Sequence, residues 1–382
     1  MRFGVYTDYQ YRSDGRAVYA DKAFAVFLAA VADGLDAMVV IGRLRHERGP
    51  GHYRLPPSVA FVPLPWYPTL ARPVSAAPAL MRSMRRLWRV LDETDAVWIL
   101  GPHALGIVFA IMAGARGRRV VLGVRQDLPR YVRSRHPGRP SLQLAALLLE
   151  ATWRALARRH PVVAVGEDLA HRYRRSRRVL AVSVSLVRVT DLAPADADTR
   201  SYDRELRVLS VGRLEREKAP LLLPEVLARL RARDARWRML VCGEGPLREQ
   251  LEQQIVALGL GEHCDVRGYV PLHGGLLDLY RDSHFLLHVS LTEGLPQVLH
   301  EAFATRTPVV ATAVGGVPAT AAGCAFLVPP GDPETAAAAL ERLAADAPLR
   351  ERLVDAAARR VAGHTIEREA AAVAAFLSEG RH

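Results

Sequence analysis

The residues best suited to chemistry stand in one stretch of the second half, Ser290-Leu-Thr-Glu293-Gly-Leu-Pro296-Gln-Val-Leu-His-Glu301-Ala, directly behind an apolar run. Gly294 lets the backbone turn tightly and approach a ligand, and Pro296 suits the first turn of a helix, where its missing N–H would go unpaired anyway. A helix starting there aims its free amides and the positive end of its dipole at the strand end, which favours an anion such as a diphosphate. Glu293 then lies at the helix mouth and Glu301 in its second turn. Each carboxylate can accept two hydrogen bonds, as the vicinal hydroxyls of a sugar or ribose would offer. The plainer alternative is that Glu293 caps the helix and Glu301 faces solvent.

Three more loops point to the same chemistry. Val211-Gly212-Arg213-Leu-Glu-Arg-Glu-Lys218 follows an apolar run and puts two cations beside a glycine, a fit for a diphosphate whose charge grows as it leaves. Val241-Cys-Gly243-Glu-Gly245-Pro246 ends another run, although a plain strand-to-helix turn would explain a lone glycine motif as well. Ala313-Val-Gly315-Gly316-Val-Pro318 makes a further glycine loop on the same rim.

Holding these loops together requires parallel strands, and the whole chain alternates short apolar runs with longer stretches of helical period, the βαβ pattern. In the first half the strands are expected at Arg2 to Thr7, Ala37 to Ile41, Val59 to Pro63, Ala96 to Leu100, Val120 to Val124 and Val162 to Val165, with helices at Ala20 to Ala32, Ala79 to Leu91 and Leu142 to Arg159. In the second they are expected at Arg207 to Val211, Arg238 to Val241, Cys264 to Arg267, Phe285 to Val289, Pro308 to Ala311 and Ala325 to Val328, with helices at Pro220 to Arg233 and Pro246 to Leu258. The polar stretch Pro194 to Glu205 reads as a linker. The expected division is therefore a domain over 1–193, a linker over 194–205, a domain over 206–364 and a C-terminal helix within 365–382, with a crossing back to the first domain left open. Two doubly wound α/β domains in tandem would face a central cleft, with ligands at the carboxyl ends of the strands.

Composition narrows the setting. With 382 residues the chain is long enough for two cores. No run approaches the ~20 uninterrupted apolar residues of a membrane span, and the first residues carry no signal segment, so a cytoplasmic location is expected. Cys242, Cys264 and Cys324 are odd in number and lack CxxC spacing, which argues against a disulfide framework or a zinc site. No DxD motif or His/Asp cluster suggests a metal, and no cofactor is expected. Charge is split: through residue 190 there are 30 Lys and Arg against 13 Asp and Glu, a balance of +17, whereas the remainder carries −5. Such a basic half can attract anionic lipid, nucleic acid or a phosphorylated acceptor, or can be a solvated face only. Without a nucleic-acid-reading motif, nucleic acid is not expected as a partner. Trp66-Tyr67-Pro68 with Met81, Met84, Leu87, Trp88 and Leu91 among Arg82, Arg85, Arg86 and Arg89 could graze a membrane at its inner face, although an apolar stripe turned to the core is favoured.

From about Val208 to Asp332 the order, spacing and content of these motifs resemble the family-four retaining glycosyltransferases of the GT-B fold. The paired glutamates Glu293 and Glu301, the basic loop Val211 to Lys218, Gly243 to Pro246, Gly268-Tyr269-Val270, Gly315-Gly316-Val-Pro318 and Val328-Pro-Pro-Gly-Asp332 all fall in that family's order. The resemblance implies GT-B architecture, with two Rossmann-like parallel-sheet domains, and metal-independent transfer of a sugar from a nucleoside diphosphate sugar, a UDP-sugar by preference, to a hydroxyl acceptor. It implies retention of anomeric configuration by front-face departure and attack, with the leaving phosphate helping to deprotonate the acceptor. Arg213 and Lys218 would bind the diphosphate together with Gly212, Gly243, Gly245 and Pro246. Glu293 would contact the sugar, Glu301 the ribose, Tyr269 and Val270 the base, and the amides of Gly294 and Leu295 the sugar or phosphate.

The first half resembles the family less. Asp14-Gly15 takes the place of its glycine loop with one glycine where two are usual, so Gly15 is the expected contact. His103, in Gly101-Pro-His-Ala-Leu-Gly106, stands where a family histidine faces the cleft, as a catalytic or as a structural residue. Where a further histidine is common the chain has Arg125-Gln126-Asp127, which makes Gln126 or Asp127 an acceptor candidate. Ala319 replaces a usual glutamate. The alternatives are a GT-B nucleotide-sugar epimerase and a noncatalytic basic binding protein.

Overall fold

Runs of Val, Ile and Leu without alternation can be satisfied only inside sheets covered on both faces, and the chain builds two such sheets, one in each of two units. The computed structural model describes residues 1–48, 52–67, 73–136, 138–195 and 200–379. Unit 1 is Met1–Leu186 together with Ile366–His382, and unit 2 is Val187–Thr365. Pro68 and residues 196–199 of the expected linker lie outside the described residues.

Unit 1 contains β1 (Arg2–Ser13), β2 (Val18–Ala20), β3 (Ala37–Arg48), β4 (Tyr53–Arg54), β5 (Ala60–Leu64), β6 (Ala96–Gly101), β7 (Arg119–Val124), β8 (Val162–Val165) and β9 (Val179–Val182). Its parallel strands run β5-β3-β1-β6-β7-β8-β9, so strand order reverses between β1 and β6. Unit 2 contains β10 (Leu206–Val211), β11 (Trp237–Cys242), β12 (Cys264–Arg267), β13 (Phe285–His288), β14 (Val309–Thr312) and β15 (Phe326–Val328), all parallel, in the order β12-β11-β10-β13-β14-β15. Both units are thus Rossmann-like, and in unit 2 the reversal falls between β10 and β13. At such a point the loops leaving adjacent strands diverge to opposite faces and open a crevice at the carboxyl edge.

Several elements differ from the sequence expectation, each for a local reason. β1 runs on to Ser13 because its far end pairs antiparallel with β2, so the expected helix start at Ala20 is strand and the helix begins at Phe24. The pairing of Val162 to Val165 with Val179 to Val182 adds β9, which a four-residue run among arginines does not announce. Unit 2 begins at Val187, whose side chain is fully buried in a cluster with Leu299 and Phe303, and the Ala193 amide donates to the Ala304 carbonyl at 2.7 Å. The last helix, Ile366–Ser378, belongs to unit 1. Its Phe376 and Leu377 carbonyls accept from the Arg119 guanidinium, its Glu369 accepts from the Ser183 amide at 3.0 Å, and Ala374 lies against Gly34.

Helix Pro73–Glu93 divides its apolar stripe: Leu87, Val90 and Leu91 enter the core of unit 1, while Met81 and Trp88 stay exposed and the Arg116 guanidinium stacks on the Trp88 ring at 3.9 Å. The three cysteines are buried and unbonded to one another. Among the described residues no helix is long and apolar enough to cross a membrane.

Candidate active site

The strand ends at the unit 2 switch point carry the charged cluster. β10 stops at Val211, and the chain turns through Gly212 and Arg213 into a short 3-10 turn, Arg216–Lys218, closed by Ala219 in the left-handed region at φ 47°. β13 stops at His288, and the chain passes Ser290 and Glu293 before helix Gln297–Ala304. Pro296 is the residue preceding that helix rather than part of its first turn, with ψ at 103°, and no side chain caps the end. The two loops are tied together where the Leu291 amide donates to the Glu217 carbonyl at 2.8 Å.

Three groups converge on one oxygen of Glu293. The Lys218 ammonium donates to Oε1, the Ser290 hydroxyl donates to it at 2.8 Å, and His288 Nε2 lies 2.9 Å from it. Burial alone would raise the Glu293 carboxyl, but His288 beside it and the Lys218 charge outweigh that and hold the carboxyl at about 2. Glu293 is therefore an anion fixed in place at the base of the crevice. Beside it lies a cavity of about 20 Å³ lined by Ser210, Gly212, Lys218, His288 and Ser290, the space of one water. Arg213 stands at the rim, half exposed, and pairs with Glu215 and Glu217.

Glu301 has the opposite environment. It is buried in the second turn of helix Gln297–Ala304, not turned to solvent, and accepts from the Tyr280 hydroxyl at 2.8 Å. Burial pushes its carboxyl up to about 7, the Tyr280 bond opposing only part of that rise. Two glutamates eight positions apart thus differ in charge state near neutral pH because one has a cation beside it and the other does not.

The glycines of the neighbouring loops are explained by backbone contact. A Cβ on Gly243, at φ 152°, would meet the Gly212 carbonyl oxygen at 1.8 Å, and one on Gly245 would meet that of Leu214 at 2.5 Å. A Cβ on Gly315, at φ 53°, would lie 1.9 Å from the Glu293 carbonyl oxygen, and one on Gly316 would lie 2.0 Å from that of Gly294. These glycines let the loops after β11 and β14 press directly on those after β10 and β13. Pro246 follows the first pair, and Tyr269 and Val270 follow β12, Tyr269 partly exposed with its amide 3.5 Å from Glu244. Gly294 and Leu295 sit between Glu293 and the helix, under Gly316.

Unit 1 has its own cluster at its switch point. His103, just past β6, has Nε2 3.1 Å from Asp8 and Nδ1 3.3 Å from the Tyr6 hydroxyl, and Asp8 also pairs with Arg43 at 3.2 Å. Burial lowers the His103 pKa, with Asp8 opposing the shift and Arg43 and Arg125 adding to it. Gly15, with φ at 90°, forms the turn between antiparallel β1 and β2, where Asp14 accepts from the Arg16 and Ala17 amides. That turn is a hairpin, not the glycine loop opening a helix that its sequence position suggested. Gln126 is exposed. Asp127 caps helix Leu128–Arg135 by accepting from the Arg130 amide and pairs with Arg172 at 2.5 Å, so its carboxylate is already engaged.

Sequence reasoning overlooked His288, Tyr280, Asp8, Tyr6 and Arg43. A polar residue closing the apolar strand Phe-Leu-Leu-His was a usable signal for His288, and Asp8 directly after a strand was another. Tyr280 carried none, since only the fold brings it to Glu301.

Residues 194–360 match the model of glycosyl transferases group 1. Among curated proteins, the chain is 33% identical over 175 residues to an alpha-D-kanosaminyltransferase of Streptomyces kanamyceticus, a match covering 43% of this chain and 45% of that protein. The chain spans under half the length of that relative. Among solved structures it resembles the sucrose-phosphate synthase from Thermosynechococcus elongatus, with a TM-score of 0.75 at 18% identity over 98% of each chain. It also resembles Anabaena HepE in complex with UDP, with a TM-score of 0.72 at 16% identity over 99% of this chain and 100% of that one. The shared fold is the α/β architecture of GT-B glycosyltransferases.

Proposed function

Given that residues 194–360 match the model of glycosyl transferases group 1, we propose that the chain transfers a sugar from a nucleoside diphosphate sugar to a hydroxyl acceptor, with retention and without a metal. The observation that carries this reading is the convergence of Lys218, Ser290 and His288 on the ionised Glu293 at the unit 2 switch point. The proposed division of labour combines that geometry with the roles the resemblance implies. Lys218 and Arg213 face the donor diphosphate and offset the charge that grows as it leaves, with the uncapped amides of helix Gln297–Ala304 adding partial positive charge. Glu293, held ionised, accepts from sugar hydroxyls and stabilises positive charge developing at the anomeric carbon. Glu301 accepts from the ribose hydroxyls, Gly294 and Leu295 offer amides to the sugar or phosphate, and Tyr269 and Val270 flank the base.

UDP is the proposed nucleotide, supported by the UDP-bound structure of the similar Anabaena protein. Unit 1 is proposed to bind the acceptor, with neutral His103 held by Asp8 and Tyr6 as the candidate contact from its strand edge. Among the described residues no carboxylate is set up as a covalent nucleophile, so the leaving phosphate is proposed to take the acceptor proton while the protein positions both partners. Incubation with a panel of sugar nucleotides and simple hydroxyl acceptors, followed by NMR of the product's anomeric proton, tests this. The expected product keeps the donor's anomeric configuration. An inverted product, or a free epimerised nucleotide sugar, would overturn the reading.

A further inference from the structure

Helix Pro140–Ala157 is apolar on two sides. Its inner face buries Ala146, Trp153 and Ala157 in unit 1, yet Leu144, Leu147 and Leu148 on the other side are 58%, 49% and 61% exposed. Those three stand at i, i+3 and i+4, so they form one continuous ridge, extended by exposed Ala151 a turn later. A helix with an apolar outer face leaves a surface that water does not favour.

Charge surrounds this ridge on both ends. Arg130, Arg133, Arg135 and Arg139 precede it, and Arg154 and Arg158 follow. Between residues 128 and 159 the sole carboxylate is Glu150, which is partly buried and accepts from the Tyr173 hydroxyl at 2.8 Å. Beyond the ridge, Arg154 of the same helix and Arg158 just past its end reach into a pocket of about 370 Å³ that they share with His171, Arg172, Arg174 and Arg175. Arg154 is held there by donating to the Arg172 carbonyl at 3.1 Å. An apolar ridge that runs directly into an arginine-lined pocket matches a surface with an apolar interior and anionic headgroups. A soluble anion would use the pocket and leave the leucines without a role.

We propose that this face of unit 1 docks on an anionic lipid bilayer, Leu144, Leu147 and Leu148 entering the acyl boundary while Arg154 and Arg158 seat a lipid phosphate in the pocket. The long arginine stems lie along the apolar zone and keep their heads at the phosphate level. This is a different surface from helix Pro73–Glu93, where Arg116 already covers Trp88.

The test is co-sedimentation of the full chain with phosphatidylcholine vesicles, with and without phosphatidylglycerol, across a salt series. Wild-type protein is expected to partition onto the anionic vesicles and to come off as salt rises, since the attraction fades beyond a Debye length. Arg154→Glu/Arg158→Glu is expected to weaken that partitioning by about 25-fold or more, at about fivefold per basic residue. Leu144→Ser/Leu147→Ser/Leu148→Ser is expected to abolish the part that resists salt. Both variants should keep the wild-type circular dichroism spectrum and nucleotide affinity, which separates lost docking from lost folding. Three results would overturn the proposal: no preference of wild-type protein for anionic vesicles at low salt; undiminished partitioning of both variants, with loss only on charge reversal at Arg82, Arg85 and Arg89; or a wild-type dimer that the serine variant dissociates while vesicles are ignored.

Discussion

At the scale of residues, the two glutamates differ through their neighbours. Glu293, at about 2, is an anion at any working pH, whereas Glu301, buried without a cation, is raised to about 7. A ribose hydroxyl donating to Glu301 favours its carboxylate, so nucleotide affinity should rise as pH rises through about 7. Without nucleotide the sign is the reverse. The folded state prefers the protonated carboxyl, so stability present below the ordinary value of 4.5 is lost as pH rises toward 7, by about 3 kcal/mol in all. Glu301→Gln should therefore flatten both dependences, giving a less pH-sensitive melting temperature and a nucleotide titration with one affinity across that range. In steady-state kinetics Glu301→Gln should mainly raise KM, because a ribose contact is the same in ground and transition states, and Glu293→Gln should mainly lower kcat. The opposite split would exchange the two proposed roles.

At the scale of elements, glycine governs how closely the site's loops approach. Gly315→Ala would push a methyl into the Glu293 carbonyl oxygen and Gly243→Ala into that of Gly212, both against backbone that cannot rotate away. Each should destabilise unit 2 by about 1–3 kcal/mol, the usual range for overpacking, and Gly315→Ala should also displace Glu293 and depress turnover. Thermal melts beside turnover measurements check this, and Gly261→Ala, with open space at its Cβ and outside the site, serves as the control. Much of this was legible in the sequence. The strands of unit 2 stand within a residue of their expected ends, because an apolar run closed by Gly or a charge has few other readings. Glu301 stood out in the sequence as a candidate but not as a buried residue, since burial depends on Tyr280 from another helix. Gly15 misled because its single glycine suits a hairpin turn as well as a helix-opening loop, and only the antiparallel pairing of Ser13 with Val18 distinguishes them. Asp127 misled because an aspartate before Leu-Pro also reads as a helix cap, which is the role it takes.

At the scale of the whole molecule, the proposed function gives the two units different work. Unit 2 holds the proposed donor site, so UDP should raise the unfolding transition of unit 2, by about 2.7 kcal/mol at a hundredfold excess over Kd, and leave that of unit 1 where it is. Scanning calorimetry with and without UDP reads this directly, and a shift confined to unit 1 would move the nucleotide site. Turnover tests the central claim, that cations at the unit 2 switch point drive departure of the nucleoside diphosphate. The decisive measurement is the rate of nucleoside diphosphate release from a saturating sugar nucleotide by wild-type protein, Arg213→Ala and Lys218→Ala. Each variant should keep the fold and release product about 100- to 1,000-fold more slowly; near-wild-type release by both would contradict the account.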